Sequence, residues 1–173
     1  MSLELYMAHP AGSAKEMNKW AKGFKHRTGI HLINPFDNEK PVNEDWYYNK
    51  INPNEIVERD LKLIRSSDGM IALINGDVSY GTIQEMVYAK QFKKPVYSAI
   101  TNGQHNHPFL VYHSDEVFRC LGELEKFMAP GCHYCPGTTN LVGQNKKHGF
   151  NMYLCNDCEK SWMELDKEDK NNR

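Results

Sequence analysis

Two carboxylates and four cysteines hold most of the reactive chemistry in this sequence. Asp60 is flanked by Ile56, Val57, Leu63 and Ile64, three or four residues to either side on a predicted helix. That spacing sets a carboxylate in an apolar face, away from the charged side bearing Glu58, Arg59 and Lys62. A charge there needs a partner or a purpose, whether a structural salt bridge, a loop cap or a proton to deliver. Glu85 falls one turn into a helix that follows Gly81-Thr82. Such a position lies at the carboxyl edge of a parallel sheet, where open α/β folds bind ligands. A first-turn acid is also ordinary complementation of the helix dipole. Tyr6, read as the end of the first strand, points at the same crevice or fills the core as a plain aromatic. Gly12 and Ser13 stand at the next helix start, where backbone N–H groups can hold an anion or simply be capped.

The cysteines form two pairs, Cys132-x-x-Cys135 and Cys155-x-x-Cys158, with 19 residues between them. Two such knuckles supply four thiolates at the spacing of a structural tetrahedral zinc site. A reducing compartment would keep them from pairing as disulfides. Cys120 is left over and is expected to pack as a small apolar residue in a helix.

The elements that must position these groups alternate strand and helix over the first ~125 residues, the pattern of a parallel α/β sheet. Strands are predicted at residues 3–8, 30–33, 70–74 and 95–100, with a short one at 109–112. The first helix carries Met17, Trp20, Ala21 and Phe24 as one stripe. The second starts at Asn52-Pro53 with Glu55 in capping-box spacing and runs to about Ser67. A third covers Thr82 to Phe92. Ser114 is expected to cap a last helix with Val117, Leu121 and Leu124 on its buried face. Residues 36–51 form a polar loop bearing Phe36, Trp46, Tyr47 and Tyr48, long enough to suggest function. The expected organisation is an α/β domain over 1–128, a zinc ribbon over 129–163 that can hardly fold without metal, and a disordered charged tail over 164–173.

Composition narrows the function further. At 173 residues the chain suits one α/β domain plus a small unit. Lys and Arg total 21 against 22 Asp and Glu, a net charge of -1, which argues against a nucleic-acid binder relying on excess cations. Residues 130–173 carry six charges of each sign, so the ribbon gives no basic patch either. No Gly-Lys-Ser/Thr loop and no GxGxxG after the first strand are present, which disfavours NTP hydrolysis and dinucleotide redox. Without a run of ~18 apolar residues or a secretory start, a cytoplasmic protein with no membrane span is expected.

Taken in order, Tyr6-Met7-Ala8-His9-Pro10, Asp60 to Asp68, Met70 to Ile74, Gly81-Thr82-Ile83-Gln84-Glu85-Met86-Val87-Tyr88-Ala89 and Lys94-Pro95-Val96 resemble the nucleoside 2-deoxyribosyltransferase family, which includes 2'-deoxynucleoside 5'-monophosphate N-glycosidases. The resemblance covers about residues 3–128 and implies a doubly wound, Rossmann-like sheet of about five strands. By resemblance, Glu85 matches the nucleophile that forms a glycosyl-enzyme. Asp60 matches the carboxylate that contacts the departing base and helps protonate it, and Tyr6 the hydroxyl that holds the nucleophile. Cleavage of an N-glycosidic bond suits such a set, because its oxocarbenium-like state is stabilised and then captured by a carboxylate. Asp68 matches a structural aspartate.

Many transferases of the family carry an aspartate six residues before the nucleophile to bind a 5'-hydroxyl. Ser79 stands there, as in the monophosphate N-glycosidases, with Asp77 two residues earlier. Gly12, Ser13, Ser79, Gly81 and Thr82 are therefore the expected substrate-binding residues. Lys15 stands near them, without the arginine those hydrolases carry.

The resemblance also implies a homodimer or larger assembly whose subunits share the site, with His107 or its neighbours in 101–113 as candidates for crossing. The expected activity is N-glycosidic cleavage of a deoxynucleoside 5'-monophosphate, with zinc as a structural ion and no organic cofactor. The alternatives are a deoxyribosyltransferase, a glutamate-based NAD glycohydrolase, and a non-catalytic nucleotide-binding module whose ribbon docks a partner.

Overall fold

The computed structural model describes residues 3–36, 52–76, 79–129, 131, 139–145, 150–156, 159 and 161–165. Five strands form one parallel sheet: β1 (Glu4–Ala8), β2 (His31–Ile33), β3 (Gly69–Ile74), β4 (Val96–Ile100) and β5 (Glu116–Phe118), in the order β2-β1-β3-β4-β5. Between them run α1 (Ala14–Thr28), α2 (Pro53–Ser66), α3 (Tyr80–Gln91) and the short α4 (Pro108–Tyr112), and α5 (Leu121–Met128) follows β5. The strand order reverses direction between β1 and β3, which makes their carboxyl ends the switch point of a doubly wound sheet.

The pleat of β1 divides the core in two. Leu5 and Met7 pack with Met17 and Phe24 of α1 and Leu124 of α5, whereas Tyr6 and Ala8 face Ile64 of α2, Met86 and Ala89 of α3 and Leu110 of α4. Every residue of β3 is buried, as its continuous apolar run requires of a central strand. Gly69 opens that strand because a Cβ there would lie 2.9 Å from Pro95 Cγ and 3.0 Å from Pro95 O. Asn52 caps α2 by accepting the Asn54 N–H at 3.1 Å, with Pro53 at the first helical position. Asp68 Oδ2 accepts the Glu4 N–H at 2.9 Å, which ties the entrance of β3 to that of β1. Glu125 of α5 accepts from Trp20 Nε1 and from Arg27 Nε, each at 2.7 Å, and clamps α5 to α1.

The sequence reading needs correction after Ile100. Residues 108–112 are a helix, not a strand, because Pro108 opens the turn and of this apolar run only Leu110 is buried. The fifth strand is 116–118, so Val117 belongs to β5 and not to the last helix. Ser114 does not start that helix; its hydroxyl bonds Leu110 O at 2.7 Å and Ser98 Oγ at 2.7 Å. Cys120 caps α5, its Sγ accepting the Glu123 N–H at 3.4 Å, and is exposed instead of packed.

Beyond Gly131 a second sheet forms from β6 (Thr139–Asn145), β7 (Phe150–Cys155) and β8 (Ser161–Leu165), antiparallel and in that order. β6 packs on α1, and His26 with Leu141, Val142 and Gly143 lines a cleft between them. β8 ends at Leu165, two residues into the stretch expected to be a free tail. Residues 37–51, most of the long polar loop, and 166–173 lie outside the described residues. Among the described residues no helix is long and apolar enough to cross a membrane.

Candidate active site

Three elements bring the candidate acids together. Tyr6 sits in the middle of β1 and not at its end, fully buried, with its ring in the α2–α3–α4 half of the core. Its hydroxyl crosses to α3 and donates to Glu85 Oε1 at 2.6 Å. The length fits a phenol donating to a carboxyl oxygen. Asp60 reaches the same region from α2, which packs against α3. Residues 79 apart in sequence thus share one hydrogen bond, and Asp60 acts electrostatically on both of them.

Asp60 departs from its expected setting. On α2 only Ile64 is fully buried, and Val57 is 51% exposed. The apolar stripe of its first turns is only partly covered, with Ile56 half-buried and Val57 exposed. Asp60 itself keeps 16% of its side chain exposed and accepts Arg59 Nε on Oδ1 at 2.9 Å. The residue read as part of the charged solvent face therefore belongs to the site. Its one available signal was that it adjoins Asp60 in sequence.

The electrostatics are asymmetric. Burial pushes the Glu85 carboxyl up to about 8, helped by the negative charge of Asp60, against the Tyr6 hydrogen bond and the Arg59 charge, which pull it down. Burial first, then Glu85 and Asp60, raises the Tyr6 hydroxyl far above its ordinary range, so it stays protonated and remains a donor. Asp60 has a cation on one oxygen, whereas Glu85 has a neutral hydroxyl.

The expected substrate-binding residues ring the same edge. Ser79 is the N-cap of α3, and no side-chain cap occupies its hydroxyl. Gly81 and Thr82 lie within the first turn, because α3 begins at Tyr80, two residues before the predicted start at Thr82. Thr82 is 2% exposed, and its Oγ1 finds no hydrogen-bond partner among the described residues. Buried hydroxyls are rarely left so. Gly12 is exposed in a single 3-10 turn, Ala11–Ser13. The Ser13 hydroxyl donates to Pro10 O at 2.9 Å and reaches Asn75 Oδ1 at 3.5 Å, joining the turns that leave β1 and β3. His9 behind them is buried, its ring nitrogens 2.9 Å from Pro10 O and 3.2 Å from Asn34 Oδ1. Asp77 lies outside the described residues, and His107 is the exposed N-cap of α4.

Of the four paired cysteines, Cys132, Cys135 and Cys158 lie outside the described residues. Cys155 is the last residue of β7 and is 1% exposed. Beyond it the Glu159 N–H, from a residue at φ 55°, closes on Cys155 O at 3.2 Å. Cys155 is thus a buried candidate thiolate at a strand end, and among the described residues no group of three or more His, Cys, Asp or Glu side chains comes together as a metal site.

A doubly wound sheet with a tyrosine-bound glutamate and a second acid near its switch point defines the class: an α/β protein of the kind that binds ligands at the carboxyl edge of its sheet. The chain belongs to the nucleoside 2-deoxyribosyltransferase family, whose model matches residues 5–153, further than the motifs alone reach and well into β7. Among solved structures it is similar to a conserved protein of Enterococcus faecalis (18% identity, TM-score 0.59, covering 74% of this chain and 98% of that one). A 2-deoxyribosyltransferase of Bacillus psychrosaccharolyticus has 18% identity and TM-score 0.57, covering 70% and 90%. A CMP N-glycosidase of Clostridium botulinum has 17% identity and TM-score 0.50, covering 72% and 96%. At such identities the likeness concerns the fold. No curated protein matches the chain.

Proposed function

We propose that this chain cleaves the N-glycosidic bond of a 2'-deoxynucleoside 5'-monophosphate through a glycosyl-enzyme on Glu85 and releases the free base. The observation that carries the reading is the 2.6 Å hydrogen bond from Tyr6 to Glu85, which aims one carboxyl oxygen and leaves the other for the anomeric carbon. As that oxygen bonds to the sugar, the C–N bond breaks and its electron pair leaves with the base. Asp60 stands where it can relay a proton to the departing nitrogen. Water then hydrolyses the sugar ester and regenerates the carboxylate.

The uncapped Ser79 hydroxyl, the orphaned Thr82 hydroxyl and the first N–H groups of α3, with no acid in its first turn, favour an anionic 5' group. Family membership equally supports transfer of deoxyribose to a second base, which differs only in the acceptor. The test is incubation of pure protein with deoxynucleosides, their monophosphates and NAD, each with and without a second base, while free base is followed. Release from monophosphates without an acceptor supports the hydrolase. Dependence on an added base makes it a transferase, and no release from any of them overturns both.

Zinc in this reading is structural, held by Cys132, Cys135, Cys155 and Cys158, and no catalytic group lies among its ligands. Self-association is the other part of the reading. α4 leaves Phe109 66% and Tyr112 78% exposed, an apolar surface suited to a second copy.

A further inference from the structure

We propose that Thr82 is a positioning residue for Glu85, its buried hydroxyl donating to the carboxyl oxygen that Tyr6 leaves free when negative charge returns to that oxygen. The inference rests on the proposed function for its meaning in catalysis, while the placement of the hydroxyl is a property of the free chain. Thr82 is 2% exposed, and its Oγ1 has no hydrogen-bond partner among the described residues. Elsewhere in the chain, buried hydroxyls at helix ends turn back on their own helix, Thr28 to Phe24 O and Ser67 to Ile64 O, each at 2.9 Å. Thr82 has Ser79 O three residues back, which takes the Ile83 N–H at 3.2 Å, and makes no such bond. A valine would fill the same volume without leaving a buried donor unmet, so packing gives no reason for the hydroxyl.

The helix itself supplies the partner. Thr82, Met86 and Ala89 form the buried stripe of α3, and Glu85 stands three residues after Thr82 beside that stripe. Side chains at such spacing are neighbours on a helix, about 5–6 Å apart at Cβ, within reach of a hydroxyl and a carboxyl. Tyr6 holds Oε1 at 2.6 Å, the one side-chain hydrogen bond that Glu85 makes among the described residues. Its other oxygen has an unused donor one turn away. In the first step that oxygen bonds to the anomeric carbon, and the base departs with the C–N electron pair and a proton from Asp60. In the second, water attacks the same carbon, the ester C–O bond breaks, its electron pair returns to Glu85 and the water's proton passes to Asp60. Charge thus reappears on the oxygen next to Thr82, in an enclosed setting where one donor counts for most. The hydroxyl keeps its own proton throughout.

The test compares Thr82→Val, which has the same shape without the hydroxyl, with Thr82→Ser, which keeps the hydroxyl and drops the methyl. With a deoxynucleoside monophosphate, Thr82→Val should lower kcat about tenfold, the worth of one hydrogen bond to a charged group. KM should fall with it, because breakdown of the sugar ester is the step that slows. A larger fraction of the enzyme should then carry the sugar adduct in mass spectrometry, and Thr82→Ser should reverse both effects. Stability should run the other way, with Thr82→Val melting at or above the wild type and Thr82→Ser below it. Activity that merely follows Tm would overturn the role, as would an unchanged kcat and adduct level in Thr82→Val. A loss of kcat/KM confined to monophosphates would make the hydroxyl a ligand of the 5' group and overturn it as well. If no nucleoside or nucleotide releases base, the proposed function fails, and Thr82 is judged on the Glu85 carboxyl carbon by 13C NMR, assigned with Glu85→Gln. Loss of a donor to the anion should raise its midpoint in Thr82→Val by about half a unit or more. Tyr6, Asp60 and Arg59, the other groups acting on Glu85, are the same in both chains, so an unmoved midpoint would overturn the placement.

Discussion

Glu85 is an acid placed where burial keeps it neutral, and two consequences follow at the residue level. Its carboxyl stands at about 8 in the folded chain against an ordinary 4.5, so between those values the folded state binds the extra proton. Stability therefore declines as pH rises through that window, and the deficit is complete above about 8. Glu85→Gln removes the titration and should be more stable than the wild type by on the order of a few kcal/mol at pH 8.5, but by little near pH 4. Thermal unfolding at the two pH values checks this, and a difference independent of pH would contradict it. The same position is expected to be indispensable for chemistry. Glu85→Ala should lower base release by roughly a thousandfold or more with the fold intact, because it removes the path through the covalent intermediate. A slow substrate analogue should leave a sugar adduct on Glu85 by mass spectrometry, and near-normal activity in the alanine variant would refute the role. Tyr6→Phe should cost about 10–100-fold in kcat/KM, the worth of one hydrogen bond to a charged group, without disturbing the ring's packing. Full activity in that variant would make Tyr6 a core aromatic and no more.

At the level of the element, the proposed choice of the substrate's 5' end rests on α3. It begins directly after Ser79, has no acidic residue in its first turn, and presents Thr82 with an unpartnered hydroxyl. Ser79→Asp places a carboxylate at that N-terminus, where it can cap the helix and accept from a 5'-hydroxyl but repels a phosphate. The variant should stay folded and turn a preference for monophosphates into one for free deoxynucleosides, read as the ratio of their kcat/KM values. A wild type already more efficient with unphosphorylated deoxynucleosides would defeat the idea. The other elements show where local pattern gives way. Phe109 to Tyr112 has strand-forming side chains, yet Pro108 starts a helical turn there and only Leu110 reaches the core. The edge strand went to Glu116–Phe118, three residues too few to show a period.

For the whole molecule, the second sheet is joined to the first unit through β6 on α1, so loss of the proposed zinc should be felt beyond the cysteines. Purified protein should hold about one zinc per chain, as a single four-thiolate site requires. Removal of the metal by a strong chelator should unfold residues 130–160 and lower Tm while base release persists better than the ribbon does. A metal-free protein with that segment fully folded would exclude the zinc reading. What the sequence determined alone was the order of elements through Ile100, the cap of α2, the buried run of β3 and the family motifs, because each is written in neighbouring residues whose period or chemistry acts locally. It also singled out Tyr6, Asp60 and Glu85 as the candidates, since each lies in a short string that resembles a family motif. Only the tertiary structure decided that the Tyr6 hydroxyl meets Glu85, that Asp60 stays partly exposed, and that Arg59 pairs with Asp60. Contacts between groups as far as 79 residues apart in the chain depend on how helices settle over a twisted sheet, and the charge balance of the site is set by that packing.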